Sequence, residues 1–391
     1  MRASSRQPWP VALVLSLAVS AAAQDQGPGF VLQGEGGLVT AFALDPSSPS
    51  TIYAATARGL YKTIDAGASW NRMGAGLHNH SLLAIAVDPF APANLYSTTD
   101  TGGIFRSGDG GEHWIEANEG ITARYVGSVA VDPHRRGGVY AGAEAGRIFR
   151  STDGAATWNE LTPPTTHVSV TVIAVDPAEA SRLYAGTNSE GVFWSPDGGV
   201  TWLRPVGRLS RGSVWNLTFD RATGEMFAGT HDGLFQSADR GATWTPLNKG
   251  LRSLNVLSIV ADPESPATMY AGTAAAIYKS ADRGRSWTEI KGELYVTAMA
   301  IDPRSPSTLY AATQLGVIKS ETAGQQWKPL RMAPLPAEAL AAPPAGRRTA
   351  KAGGGEDAMT SESLPALPLK SRAAPRPPAL PPLPVRTPGR A

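Results

Sequence analysis

Ser151-Thr152-Asp153-Gly154-Ala155-Ala156-Thr157-Trp158 is one of seven related copies of an eight-residue box along the chain. The copies end at Trp70, Trp114, Trp158, Trp202, Trp244, Trp287 and Trp327, with successive spacings of 44, 44, 44, 42, 43 and 40 residues. A period near 43 suits one four-stranded propeller blade. Seven copies therefore predict an all-β, seven-bladed β-propeller of four-stranded blades. Upstream of the second copy, Leu82 to Val87 reads as an apolar strand ended by Asp88-Pro89. Asn94 to Thr98 and Ile104 to Ser107 follow as strands, and a fourth begins at Trp114. Asp-Pro recurs at Asp45, Asp88, Asp132, Asp176, Asp262 and Asp302, while the fifth repeat has Asp220-Arg221. Small residues in the first strands, such as Ala84, Ala86, Ala298 and Ala300, fit a wedge narrowing toward an axis.

The chemistry of the eight-residue box is that of a turn. Its Asp (Asp65, Asp109, Asp153, Asp197, Asp239, Asp282) can accept backbone N–H groups and hold the turn between third and fourth strands. Gly at the fifth position permits a positive φ, and the Ser or Thr hydroxyls complete a local network. The Trp (Trp70, Trp114, Trp158, Trp202, Trp244, Trp287, Trp327) is expected to bury its ring between sheets. Catalysis needs one constellation, whereas these Asp residues are spread around a ring, so their expected role is structural. The seventh copy has Thr322 in the Asp position and Gln326 in place of Ser or Thr, as suits a terminal blade.

The pattern Ser/Thr-x-Asp-x-Gly-x-Thr/Ser-Trp resembles the Asp-box, or BNR, repeat family. Ser107–Trp114, Ser151–Trp158, Ser195–Trp202, Ser237–Trp244 and Ser280–Trp287 match it closely, Thr63–Trp70 also fits, and Ser320–Trp327 is degenerate. The resemblance covers about residues 30–330 and implies the propeller, but it implies several functions: sialidases, xyloglucan hydrolases, sortilin-type receptors and a photosystem II assembly factor. A sialidase would carry Arg-Ile-Pro, which this chain lacks; its first repeat has Arg58-Gly59-Leu60. Xyloglucan hydrolases work in a cleft between two propellers with paired carboxylates, and this chain has boxes for one. A sortilin-type receptor would have more blades and a Cys-rich module. The photosystem II assembly factor is the nearest in size and blade count.

The remaining composition divides the 391 residues into three parts. Arg2 and Arg6 precede an apolar run from Val11 to Val19, then Ala21-Ala22-Ala23, which reads as a cleavable leader over residues 1–23. That run is too short to span a bilayer, so no transmembrane segment is expected. The chain has no Cys, leaving neither disulfide nor lipid anchor, and the expected destination is secreted or periplasmic. Residues 24–330 form the propeller. Residues 331–391 read as a disordered Pro/Ala-rich tail with nine basic and four acidic residues, leaving the propeller near −5. A domain without a basic stripe is not expected to bind nucleic acid. Pro381-x-x-Pro384-x-Arg386 has the form of an SH3 ligand, with an extended spacer as the simpler reading. The six His show no metal-ligand spacing beyond a weak His78-x-His80, so no cofactor or metal is expected, and the chain is expected to be a monomer.

Boxes and Asp-Pro turns connect strands in the same sense and must share one face. The loops entering each first strand and those between second and third strands share the other, where a ligand is expected. The candidates there are Arg58, His78, Asp100, Arg124, Glu144, Arg147, Glu190, Arg211, Trp215, His231, Asp232 and Arg252. Arg side chains converging with Tyr and Trp could hold a carboxylate or a sugar. The expected function is an exported binding or assembly module for a protein or glycan partner, with glycoside hydrolysis as the alternative.

Overall fold

Seven six-residue runs, from Val39–Leu44 to Val296–Ile301, form the first strand of each repeat. They are buried almost throughout because a neighbouring sheet covers each face. The structure, a computed structural model, describes residues 37–330 except 78, 79, 162, 163, 221 and 222. The expected leader and tail, and His78, lie outside the described residues. Within them, consecutive strands pair antiparallel into seven separate sheets, six of four strands and one of three. The chain is a seven-bladed β-propeller. No helix among the described residues is long and apolar enough to cross a membrane.

Each first strand carries a β-bulge that leaves one extra residue: Thr40, Leu83, Gly127, Thr171, Trp215, Leu257 and Thr297. Where that residue is Thr, its hydroxyl donates to the first carbonyl of the next blade's inner strand. Thr40 reaches Leu82 O at 2.8 Å, Thr171 reaches Val214 O, and Thr297 reaches Val39 O at 2.7 Å. The last of these joins blade 7 to blade 1. A second tie lies outside it, where the second-strand Tyr of one blade reaches the box of the next. Tyr184 bonds Arg240 O, Tyr270 bonds Ala323 O, and Tyr310 bonds Ala66 O at 3.0 Å. Lys62 and Arg106, in third strands, add bonds to the carbonyls of Gly110 and Gly154.

Blade 7 takes its fourth strand, Lys328–Pro329, from its own repeat, so the ring closes through side chains and packing. Blade 4 departs from the pattern. Its third strand, Val192–Ser195, meets the following chain at a single bridge, Trp194 to Leu203. In blades 2, 3, 5 and 7 the next ladder bond comes from the N–H of Ala117, Leu161, Leu247 or Leu330. Pro205 stands at that position in blade 4 and has no N–H to give. The expected burial of the box Trp holds at Trp70, Trp114, Trp158, Trp244 and Trp287. Trp202, in this shortened blade, and Trp327, in the terminal one, are only half-buried.

Candidate functional site

In the third box, Asp153 Oδ1 accepts the backbone N–H groups of Ala156 and Thr157 at 2.9 and 3.0 Å, and Oδ2 accepts the Thr157 hydroxyl at 2.6 Å. Ser151 Oγ donates to the same carboxylate and accepts the N–H of Ala155. The other Asp-bearing boxes repeat this arrangement, with His113 Nδ1 in the hydroxyl's place beside Asp109 at 2.7 Å. In the seventh, Thr322 Oγ1 accepts the N–H of Gln326 at 2.8 Å and so keeps one bond of the set. These donors favour the ionised form. Ser69, Thr201 and Ser286 hydroxyls lead in holding Asp65, Asp197 and Asp282 down at about 2, and Asp109 and Asp153 are also lowered. Asp239 is lowered too, its hydrogen bonds outweighing desolvation. The box carboxylates are spent on their own turns.

Bonds from box to Asp-Pro loop, such as Ala66 N to Ser50 O and Gly154 N to Gly137 O, put both on one face. On the opposite face every second-to-third-strand turn bonds to an entering loop: Ala57 N to Leu38 O, Asp100 N to Ser81 O, Glu144 N to Tyr125 O, Asn188 N to Ser169 O, His231 N to Ser213 O, Ala274 N to Asn255 O and Gln314 N to Tyr295 O. Most candidates sit on these paired loops, in two groups. Near blade 3, Glu144 Oε1 accepts the backbone N–H of Arg124 at 2.8 Å. Arg147 donates to Thr122 O at 2.9 Å and lies 3.6 Å from Glu160, which Thr122 Oγ1 also contacts. Between blades 4 and 5, Glu190 pairs with Arg204, and its backbone bridges Gly212, next to Arg211. Asp232 lies over the same Gly212, whose added Cβ would stand 3.3 Å from Asp232 Oδ2, and it contacts His231 Nδ1 at 3.1 Å.

The remaining candidates stand apart. Arg58 offers its carbonyl to Arg72, Asp100 bonds Thr101, and Arg252 lies 4.0 Å from Glu289. Trp215 is a bulge residue only 7% exposed, its indole N–H given to Asn255 Oδ1 at 3.0 Å. It closes the inner rim and presents no ring to solvent. Asp100, Glu144, Glu190 and Asp232 each bond to a different partner, Thr101, the Arg124 N–H, Arg204 and His231. Sequence reasoning missed Glu160 and Arg204, which share the second position after the box Trp; that shared position was the available signal. Asp109, Glu112 and His113, exposed on the second box, are the grouping of metal-ligand types among the described residues, and two of them already bond each other.

No protein-family model matches the chain, and no curated protein matches it. Solved structures do. The GH74 xyloglucanase from Xanthomonas campestris superposes with a TM-score of 0.65 at 19% identity, covering 78% of this chain and 56% of that one. The GH74 enzyme of Niastella koreensis gives 0.64 at 18%, covering 75% and 53%. YCF48 bound to D1 peptide gives 0.60 at 14%, covering 75% of this chain and 97% of that one. The chain thus spans about half the length of the two GH74 enzymes. At these identities the likeness is one of fold.

Proposed function

We propose that this chain is an exported Asp-box propeller that serves as a binding or assembly module for a protein or glycan partner, engaged through the loop face. One observation carries the reading. The repeated polar groups are spent on turns and inter-blade ties, whereas two groups of charged residues that do not repeat, Arg124, Glu144 and Arg147 and then Glu190, Arg211, His231 and Asp232, gather on the opposite face. Support comes from YCF48, a neighbour matched over 97% of its chain and bound to D1 peptide. Export rests on the leader-like residues 1–23, and mass spectrometry of the mature protein should find Gln24 at its N-terminus. The second reading, glycoside hydrolysis, is favoured by the xyloglucanase neighbours. Incubating the purified chain with xyloglucan separates the two. The binding reading expects no release of reducing ends; release abolished by Asp100→Asn, Glu144→Gln, Glu190→Gln or Asp232→Asn would replace it.

A further inference from the structure

The seven repeats act as internal controls for one another, and blade 4 fails them at one place on the surface. The residue after the box Trp is Asn71, Asn159, Thr245, Thr288 or Lys328 in five blades and Ile115 in another; in blade 4 it is Leu203, 44% exposed. The residue that pairs with the next blade's box is Ala75, Glu119 or Lys249 elsewhere; in blade 4 it is Val206, 77% exposed. Val200, in the preceding box turn, is 65% exposed. Pro205, which stops the outer strand, and the bond from Val206 N to Ala242 O hold this segment against blade 5.

Charge changes at the same place. Blades 2, 3 and 6 have Glu116, Glu160 and Glu289 at the second position after the Trp, where blade 4 has Arg204 and blade 1 has Arg72, which is turned onto the Arg58 carbonyl. Arg208 and Arg211 follow, both exposed, and no acidic side chain among the described residues bonds to either. An exposed aliphatic strip that carries Arg204, paired with Glu190, and is followed in the chain by the exposed Arg208 and Arg211 complements an apolar side chain carried between carboxylates. It complements a neutral glycan poorly, because the aromatic faces a sugar would stack on are taken. Arg204 covers Phe193 at 4.6 Å and Arg182 covers Trp194 at 4.8 Å.

We propose that Leu203 to Arg211, on the rim of blades 4 and 5, is a docking surface for an extended acidic protein segment bearing an aliphatic or aromatic residue. This rests on the binding-module reading, names its partner class, and extends the contact from the loop face beside Arg211 along the outer rim to Val206, which bonds the box of blade 5. The test uses the full chain and a synthetic ten-residue peptide alternating Asp or Glu with Leu and Phe, followed by fluorescence anisotropy. A second peptide carries Lys at the acidic positions. The acidic peptide should bind, more weakly at high salt. Val206→Asp should weaken it about tenfold or more, as expected for a central anchor, and Arg208→Glu with Arg211→Glu should do the same. Arg285→Glu, on the box face of blade 6, should leave it unchanged. Thermal unfolding of each variant confirms that the blade is intact. Equal binding by wild type and Val206→Asp overturns the location and leaves the module reading standing. Equal binding of the Lys peptide, or none of the acidic one, overturns the partner class. A wild-type dimer in sedimentation that Val206→Asp makes monomeric would assign the strip to a second copy instead.

Discussion

Gly199 and Leu161 show how single side chains fit one blade to the next. Gly199 sits at φ +93°, and a Cβ there would come within 2.5 Å of Leu161 Cδ1 on the preceding blade. The same contact recurs at Gly67 with Leu330 and Gly284 with Leu247. In the third box the fifth position is Ala155, at φ +63°, and the facing outer-strand residue has shrunk to Ala117. The extra methyl is accepted because its neighbour gave up three carbons. Gly199→Ala alone should therefore destabilise by roughly 2–4 kcal/mol, combining left-handed strain and overpacking. Adding Leu161→Ala rebuilds the natural Ala–Ala pair, so the double variant should be more stable than the sum of the singles by about 1–2 kcal/mol. Urea unfolding of the four proteins measures this, and strict additivity would refute it. Asp153→Ala is a second case at this scale. It strands two backbone N–H groups and should cost about 1–3 kcal/mol in the same assay, with no loss of ligand binding.

The box turn and the second-strand Tyr that grips it respond to opposite ends of the pH scale. Asp65, Asp197 and Asp282 are held down at about 2 against an ordinary 3.8, so the fold prefers them ionised. Their contribution is complete above about pH 4 and disappears as the pH falls toward 2. Tyr53, Tyr96 and Tyr270 are pushed up to about 12, by burial first and then by Asp45, Asp88 and Asp262 beside them. The fold prefers these phenols protonated, so their contribution is complete below about pH 10 and is lost between 10 and 12. Urea midpoints should stay level between about pH 4 and 10 and fall on both sides, with Tyr270→Phe removing part of the alkaline loss. The turn itself was legible in sequence because its bonds span four residues. The grip was not, since Tyr310 and its target Ala66 are 244 residues apart and only the ring brings them together. Pro205 was visible as a proline, but its effect depends on a ladder bond that only pairing defines. The loop-face groups were legible as a face; their partners, Glu160 and Arg204, come from the chain just after the box Trp, which only the folded blade brings beside them.

A propeller is as strong as the seam where its first and last blades meet, and here that seam has no covalent crossing among the described residues. Thr297 to Val39, Tyr310 to Ala66 and Arg304 to Ser47 O at 2.8 Å hold it, over apolar packing that includes Leu330 and Trp70. The bond from Thr171 to Val214 is chemically the same as that from Thr297 to Val39, but continuous chain links blades 4 and 5. Thr297→Val and Thr171→Val should therefore each cost about 1–3 kcal/mol in global unfolding, because each leaves a buried carbonyl short of a donor. Their local effects should differ. Opening blades 4 and 5 releases only a short loop, whereas opening blades 1 and 7 frees the whole ring to uncoil, a larger gain in chain entropy. Native-state hydrogen exchange should show Thr297→Val, and Tyr310→Phe with it, speeding amides in Val39–Leu44 and Val296–Ile301 well beyond the global change. Thr171→Val should speed Val170–Val175 and Val214–Phe219 no more than the rest. If it opened blades 4 and 5 as readily, the ring would be uniformly weak and the seam would hold no special place in its stability.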